Sequence, residues 1–575
     1  MKNISSLLLL TLLFVGCYED KGNYDYTLDT MNEIKSVTFS PAISKGGSGN
    51  VIEVQQPLTE DDRTRRVEAS VEQTLATNLD DLEFYWCRSY TDEEGKNVKD
   101  TLHSKGYLDI DFPVGKDMTY NIFLQIYDKT TTLSHYSSFE MSTRPLFKNS
   151  LFVLHGKEGE RKVGNIEVIG EETKIYTDIK TATKDKNHYE NVTGFSYTTY
   201  QNITEEFKVY ETKALTLYAN NGETKVYNPN GMEVKYVASK IFKPESENFS
   251  YKKTIQTGDA GIGTNWYKIV LTENGEVFFG NIVHALYKPG YGRGDDASHE
   301  GDYEITAGTI TGTRFLMWDA KHDRFLYSAK ADEGFAEDET TSTKPGYVST
   351  KKISDANIDY EDKRSPAGMT AIMGYINYRD RDNYEYQNAY FIFKDESTNE
   401  YYRYELSTLN TGDSDGDIKK ARANGEVVKT PAFKLESVKK LTDFTPTDPS
   451  TVTYNSCFTT DNLFYAEGDI VYRYNVRNGD KHIVYKAPEG YNVTMLKFAT
   501  DDASVYTSEL ALHLNIVMYN GSNSAIGEIK FTTSSDVDES FTPLFYDRDN
   551  EGNLWGEIKD IQFVNELVYN NVYAE

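Results

Sequence analysis

Two acidic loops carry oxygen ligands at the spacing a hard cation needs. Asp413, Asp415 and Asp417 alternate around Gly416, and Asp547, Asp549 and Glu551 alternate ahead of Gly552. A Ca²⁺ ion takes about six to eight oxygens, and alternation lets one loop turn several toward one point. Neither loop has the distal Glu of a helix–loop–helix site. An ion here would be structural calcium that stiffens a loop, against the plain alternative of a solvated polar turn. A third loop, from Leu286 to Asp296, is kept irregular by Pro289, Gly290, Gly292 and Gly294. Tyr287 and Tyr291, with Arg293 beside them, offer flat faces to a sugar ring or a peptide side chain. The plain alternative is a surface loop that packs its own tyrosines.

No catalytic signature accompanies these loops. The chain has no HExxH, no GxSxG, no P-loop and no GxGxxG after a strand. Its histidines have no partner at metal-ligand spacing, and no CxxC or Cys/His zinc pattern occurs. Carboxylates are so numerous that spacing singles out no glycosidase pair. The expectation is a protein that is not an enzyme and holds no cofactor, apart from the calcium considered above.

Cys17 offers chemistry of another kind. Met1 and Lys2 begin a short basic start, and an apolar run closes with Phe14-Val15-Gly16-Cys17. That run is shorter than the roughly 20 residues a bilayer-spanning helix needs, so it reads as a signal peptide. A cysteine directly after Gly16 resembles the lipobox of bacterial lipoproteins, in which the cysteine is lipidated and becomes the first mature residue. Phe14 stands where the usual lipobox has Leu. Residues 1–16 are thus expected to be removed, with 17–30 forming a polar tether. No later stretch approaches transmembrane length.

The bulk numbers restrict the partners. The chain has 575 residues, 38% hydrophobic and 26% charged, and a formal net charge of −29. This length calls for more than one domain. Acidic residues spread over the whole chain repel phosphate backbones, so no nucleic acid is expected as a partner. Cys87 and Cys457 lie far apart in sequence and are expected as separate thiols.

The pattern from residue 31 onward is that of short strands. Leu82 to Cys87, Tyr107 to Phe112 and Tyr120 to Asp128 alternate apolar and polar residues with no helical stretch between them. Such runs indicate an immunoglobulin-like β-sandwich region over 31–145. The segment Cys17-Tyr18-Glu19-Asp20-Lys21-Gly22-Asn23-Tyr24-Asp25-Tyr26, and the strand from Tyr120 into Lys129-Thr130, resemble PKD-like lipoproteins of Bacteroidetes. The resemblance implies an outer-membrane address and a lipid anchor. Glu19 and Asp20 resemble the surface-export signal of that phylum, which implies that the chain faces the cell exterior.

Beyond Arg144 the strands are linked by hairpin turns. Asn220-Asn221-Gly222, Glu273-Asn274-Gly275, Glu467-Gly468-Asp469 and Asn478-Gly479-Asp480 each separate two apolar runs. A weak repeat joins Val163-Gly164-Asn165-Ile166, Phe279-Gly280-Asn281-Ile282, Ile526-Gly527-Glu528-Ile529 and Trp555-Gly556-Glu557-Ile558. Repeated strand–turn–strand units over 146–575 suggest a β-propeller of about seven or eight blades. Leu151 to Leu154 and Ile561 to Val564 would share a blade and close the ring; a string of further sandwiches is the rival. The chain is therefore expected to be all-β.

The family resemblance further implies an accessory of a SusC/SusD-like, TonB-dependent importer that captures glycan or peptide, or docks to the transporter. The alternative is a surface hydrolase or lyase with a propeller active site.

Overall fold

A computed structural model describes residues 32–564, apart from internal segments of which the longest are 204–208, 244–249, 258–266, 281–285, 292–302, 330–351, 377–387, 409–432 and 500–508. The chain divides into two compact units, 1–144 and 145–575. Apart from short helical turns, the described elements are strands. No helix among the described residues is long and apolar enough to cross a membrane.

The first unit is a two-sheet sandwich. Ile34–Ser40, Thr64–Gln73 and Tyr107–Asp111 form a three-stranded sheet. The other sheet has six strands, in the order Ser44–Gly46, Gly49–Gln55, Ser134–Arg144, Thr119–Asp128, Leu82–Thr91 and Asn97–Ser104. The period-two pattern decides which side chains go inside. Phe84, Trp86, Ile122, Leu124 and Ile126 pack against Val67, Leu108 and Ile110 of the smaller sheet. Tyr85, Cys87, Phe123 and Gln125 alternate with them and lie on the opposite face. Alternation does not reveal that Gly49–Gln55 runs parallel to Ser134–Arg144, since period two is blind to strand direction.

The second unit contains seven sheets among the described residues, which we number as blades in ring order. Blade 1 holds Ile558–Val564, Ser150–His155, Lys162–Ile169 and Glu172–Tyr176, from the inside outward. The inner strands of blades 2 to 7 are Val192–Ile203, Tyr251–Thr257, Ile305–Thr311, Thr370–Ile376, Thr453–Tyr454 and Asn492–Phe498. In blades 2 to 7 the second and third strands step outward through antiparallel turns, while the outermost strands of blades 3 and 4 pair in parallel. Gly275, Gly468 and Gly479 take the positive φ these turns require.

Apolar clusters between successive blades hold the ring together. Tyr218 and Val226 of blade 2 meet Tyr251 and Val270 of blade 3. Trp318 and Phe325 of blade 4 meet Phe391 and Phe393 of blade 5. Phe464 of blade 6 meets Phe498 and Phe531, and Val517 and Ile526 of blade 7 meet Leu151 and Ile561 of blade 1. The ring closes inside blade 1, where Leu151 pairs with Phe563 and Val153 with Ile561. This is the β-propeller that the hairpin pattern indicated, with seven blades among the described residues.

Three of the four repeat segments occupy one structural position. Val163 to Ile166, Phe279-Gly280 and Ile526 to Ile529 lie on the third strand of their blades. A Cβ on Gly164 would sit 2.4 Å from the Trp555 ring, and one on Gly527 2.7 Å from the Tyr485 hydroxyl. At both positions the glycine makes room for an aromatic ring lying across the strand. Trp555 to Ile558 does not share this position: it leads into the inner strand of blade 1, and Trp555 is the ring that covers Gly164.

Candidate functional site

The residues singled out in the sequence do not assemble into one site. Cys17, Glu19, Asp20, Arg293, Asp413, Asp415 and Asp417 lie outside the described residues. The loop that Gly and Pro were expected to keep irregular instead forms two short strands. Leu286–Tyr287 pairs between Val277–Gly280 and Phe242–Lys243 in blade 3, and Gly290–Tyr291 pairs in parallel with Lys352–Asp355 of blade 4. The two tyrosines therefore belong to strands of neighbouring blades.

The loop with Asp547, Asp549 and Glu551 departs from the calcium reading. Asp547 is held by Arg548 at 2.7 Å. One oxygen of Asp549 accepts from the backbone N–H of Glu551 and Asn553, at 3.0 and 2.8 Å. The other accepts from Asn553 Nδ2 at 2.9 Å and Thr177 Oγ1 at 2.7 Å. Burial disfavours the Asp549 carboxylate, but these bonds outweigh it and lower its pKa. Asn550 adds bonds to Ile175 N and Thr173 O. The oxygens thus serve the turn and fasten it to the outer strand of blade 1. Among the described residues no three His, Cys, Asp or Glu form a group able to hold a metal.

A groove of about 510 Å³ lies on blade 5, lined by Lys363, Arg364, Tyr402, Glu436, Ser437, Val438 and Lys440. Three stretches distant in sequence build it. Phe433–Leu441, the outer strand, supplies Glu436 to Lys440, and Glu400–Thr408 beneath it supplies Tyr402. The segment before the inner strand brings Lys363 and Arg364.

A relay of charges fixes the groove's shape. The Arg364 guanidinium lies 4.4 Å over the Tyr402 ring, donates to the Tyr402 hydroxyl at 2.6 Å and pairs with Asp395. Tyr402 in turn donates to Glu400 at 2.6 Å, and Glu400 accepts from Lys440 at 2.5 Å. Ser407 donates to Glu436 at 2.6 Å. Each of these contacts stabilises the groove's resting protonation state. Ser397 and then Arg364 hold the Asp395 carboxyl down to about 2. Lys440 lowers Glu400, Ser407 lowers Glu436, and Glu400 raises both Lys440 and Tyr402. General acid–base work at neutral pH needs a group poised near pH 7. Every shift in this groove runs away from that point.

Sequence reasoning missed the groove because no motif marks it. The only signal was the alternation in Phe433–Leu441, which places Glu436 and Lys440 on the strand's open face.

The inner strands hold the opposite case. Burial pushes the Lys253 amine, on the inner strand of blade 3, down to about 8, with Lys252 adding to the effect. At the ring seam, Lys497 donates to Asp560 at 3.2 Å and to Ile561 O at 2.6 Å, while Asp560 accepts from Phe195 N at 2.8 Å. That cluster ties blades 7, 1 and 2 together.

Residues 17–199 match the model of the PKD-like family, a match that runs past Arg144 into the first two blades. No curated protein matches. Among solved structures, the chain is similar to a quinonprotein alcohol dehydrogenase-like protein from Bacteroides thetaiotaomicron at 11% identity. That match covers 90% of this chain and 94% of the other, with a TM-score of 0.33. A chain of the mitotic checkpoint complex matches at 9% identity over 63% of this chain and 80% of its own, with a TM-score of 0.29. Hsv2 of Kluyvelomyces marxianus matches at 9% identity over 65% and 100%, with a TM-score of 0.24. Overlaps this low add nothing to the sheet-by-sheet description.

Proposed function

We propose that this chain, with its PKD-like segment over 17–199, is a non-catalytic capture protein held on the outer membrane by lipid at Cys17. The observation that carries the reading is the blade 5 groove. It has the volume of a small-ligand site, yet its carboxylates are held ionised and its cations held charged. Such a groove binds and orients a ligand and offers no proton near neutrality. Lys440, Ser437 and Glu436 supply polar contacts, and Tyr402 and Val438 supply apolar surface. Glycan and peptide fragments both suit that mixture.

In this reading Glu19 and Asp20 direct export to the cell exterior, and the partner is a SusC/SusD-like importer. Tethering raises local ligand concentration beside the importer, so modest affinity suffices. Calorimetry with a panel of oligosaccharides and peptides tests the capture step. Binding that weakens about tenfold in a Tyr402→Ala, Lys440→Ala variant supports it. Recovery from outer membranes without any importer component sinks the partner assignment.

Lys253 favours a second reading. An amine lowered by burial to about 8 on an inner strand suits a general base, one of the roles open in a surface hydrolase or lyase with a propeller active site. New reducing ends or new amines from the same panel, lost in Lys253→Met, would establish that reading instead.

A further inference from the structure

The outward face of the sandwich's six-stranded sheet carries exposed aromatic rings close to one another. Phe123 is 41% exposed, Tyr136 57% and Leu133 56%. Among the described residues nine large hydrophobic side chains are this open, and these three lie on one hairpin, Thr119–Asp128 with Ser134–Arg144. Exposed apolar side chains scattered singly need no explanation, but a cluster marks a surface that meets something.

The geometry says what kind of surface it is. Phe123 and Tyr136 are diagonal neighbours, with ring centroids 5.6 Å apart and planes inclined by 32°. They form a tilted step in place of the edge-to-face packing seen between Phe39 and Trp86 inside the same sandwich. The register extends the step across the sheet. Tyr136 pairs with Gln125, and Gln125 pairs with Tyr85. Adjacent strands lie about 4.8 Å apart, so Tyr136 and Tyr85 stand roughly 10 Å apart with an amide between them. Phe123 sits one step along, flanked by Ser138 and Cys87. Gln125 is oriented by its bond to Ser134 Oγ at 2.9 Å, and Tyr85 by its bond to Glu83 at 2.5 Å.

A row of flat rings interleaved with amides and hydroxyls recognises ligands that are themselves flat and apolar on one side and hydroxylated at the rim. Sugars and nucleobases both have a stackable face. The net charge of −29 opposes a polyanion, and Glu83 and Glu140 on this face add to that. A protein-docking core would be expected to be richer in apolar residues than this face, where Leu133 is the single exposed aliphatic.

We propose that the outward face of this sheet, centred on Phe123, Tyr136, Gln125 and Tyr85, is a binding platform for neutral glycan chains. It goes beyond the blade 5 groove and does not depend on it.

The test is affinity electrophoresis of the full chain in native gels containing a neutral β-glucan, α-glucan, mannan or xylan. The expected result is retardation of the wild type by at least one of them. A Phe123→Ala, Tyr136→Ala variant should lose about tenfold in affinity, and Phe123→Tyr with Tyr136→Phe should keep it. Tyr402→Ala with Lys440→Ala should bind these polymers unchanged, which separates this platform from the groove. Unaltered melting of each variant by circular dichroism shows that the fold is kept. No retardation by any neutral polymer overturns the proposal, as does retardation that the double alanine variant retains. Salt-sensitive retention by acidic polymers alone overturns it too. So does a membrane protein partner that the alanine variant loses while no polysaccharide binds.

Discussion

Lys497 and Asp560 meet at 3.2 Å across the seam between the last blade and the first. The same carboxylate accepts from the Phe195 backbone N–H of blade 2 at 2.8 Å, so one side chain serves three blades. Asp560→Ala leaves that buried N–H without its acceptor and takes from the Lys497 amine its only carboxylate partner at the seam, leaving it Ile561 O and Gln562 Oε1. The expected loss is about 2–3 kcal/mol. Lys497→Met should cost less, because Asp560 keeps its backbone donors. Urea unfolding of both variants checks this, and equal midpoints for Asp560→Ala and wild type would falsify the seam's role.

Ring closure is also expected to depend on pH through His155. Its Nδ1 accepts from Gly556 N at 3.1 Å, so its Nε2–H donates to Thr177 O at 2.7 Å, which defines a neutral ring. Burial, aided by Lys162, lowers its pKa below 6.5. The unfolded chain therefore binds a proton that the folded chain resists. Stability from this source is complete above 6.5 and is lost as pH falls from 6.5 toward the folded value. The Asp395 contribution follows a separate course, complete above 3.8 and lost toward about 2. Melting temperatures between pH 7.5 and 5 should fall in wild type and fall less steeply in His155→Asn. Parallel curves would count against this account.

Gly164→Ala tests the close packing of Trp555 over the third strand of blade 1. The new methyl would lie 2.4 Å from Trp555 and 2.6 Å from the Tyr176 carbonyl, which is backbone and cannot swing away. Overpacking of this kind costs about 1–3 kcal/mol. Gly521→Ala meets nothing within 4 Å, though its positive φ brings some strain. Thermal melting should place Gly164→Ala clearly below Gly521→Ala, and the reverse order would refute the packing argument.

A thiol count tests the lipid anchor. Neither Cys87 nor Cys457 is in a disulfide, and Cys17 is the third cysteine of the chain. Denatured protein extracted from its native membrane should titrate as two thiols if Cys17 is carried as a thioether. Three thiols would mean that the cysteine is unmodified.

The propeller was legible because its hairpins are written locally. Glycines at turn positions and apolar runs on either side specify each antiparallel pair, as at Leu463 to Tyr474 around Gly468. The closing pair was legible for a similar reason: Leu151 to Leu154 and Ile561 to Val564 are apolar runs at the two ends of the repeat, and they do pair. The groove was not legible. Arg364, Tyr402 and Lys440 come together only because three segments converge on one blade, and nothing in their spacing encodes that. The acidic loop at Asp547 was ambiguous for a physical reason. Alternating carboxylates suit a cation and a tight turn equally, and the donors to Asp549 from Thr177 and Asn553 appear only in the folded chain.

The shared blade at the seam has a temporal meaning as well as a mechanical one. Ser150–His155 is made early, yet its inner neighbour Ile558–Val564 comes some 400 residues later. Until that strand arrives, one edge of blade 1 stays open to pairing with other chains. The entropic cost of so long a closure grows only logarithmically, so the delay is one of order rather than of energy. The last strand thus acts as a proofreading step: a chain cut short before it leaves an unlatched ring that aggregation and proteases would find first.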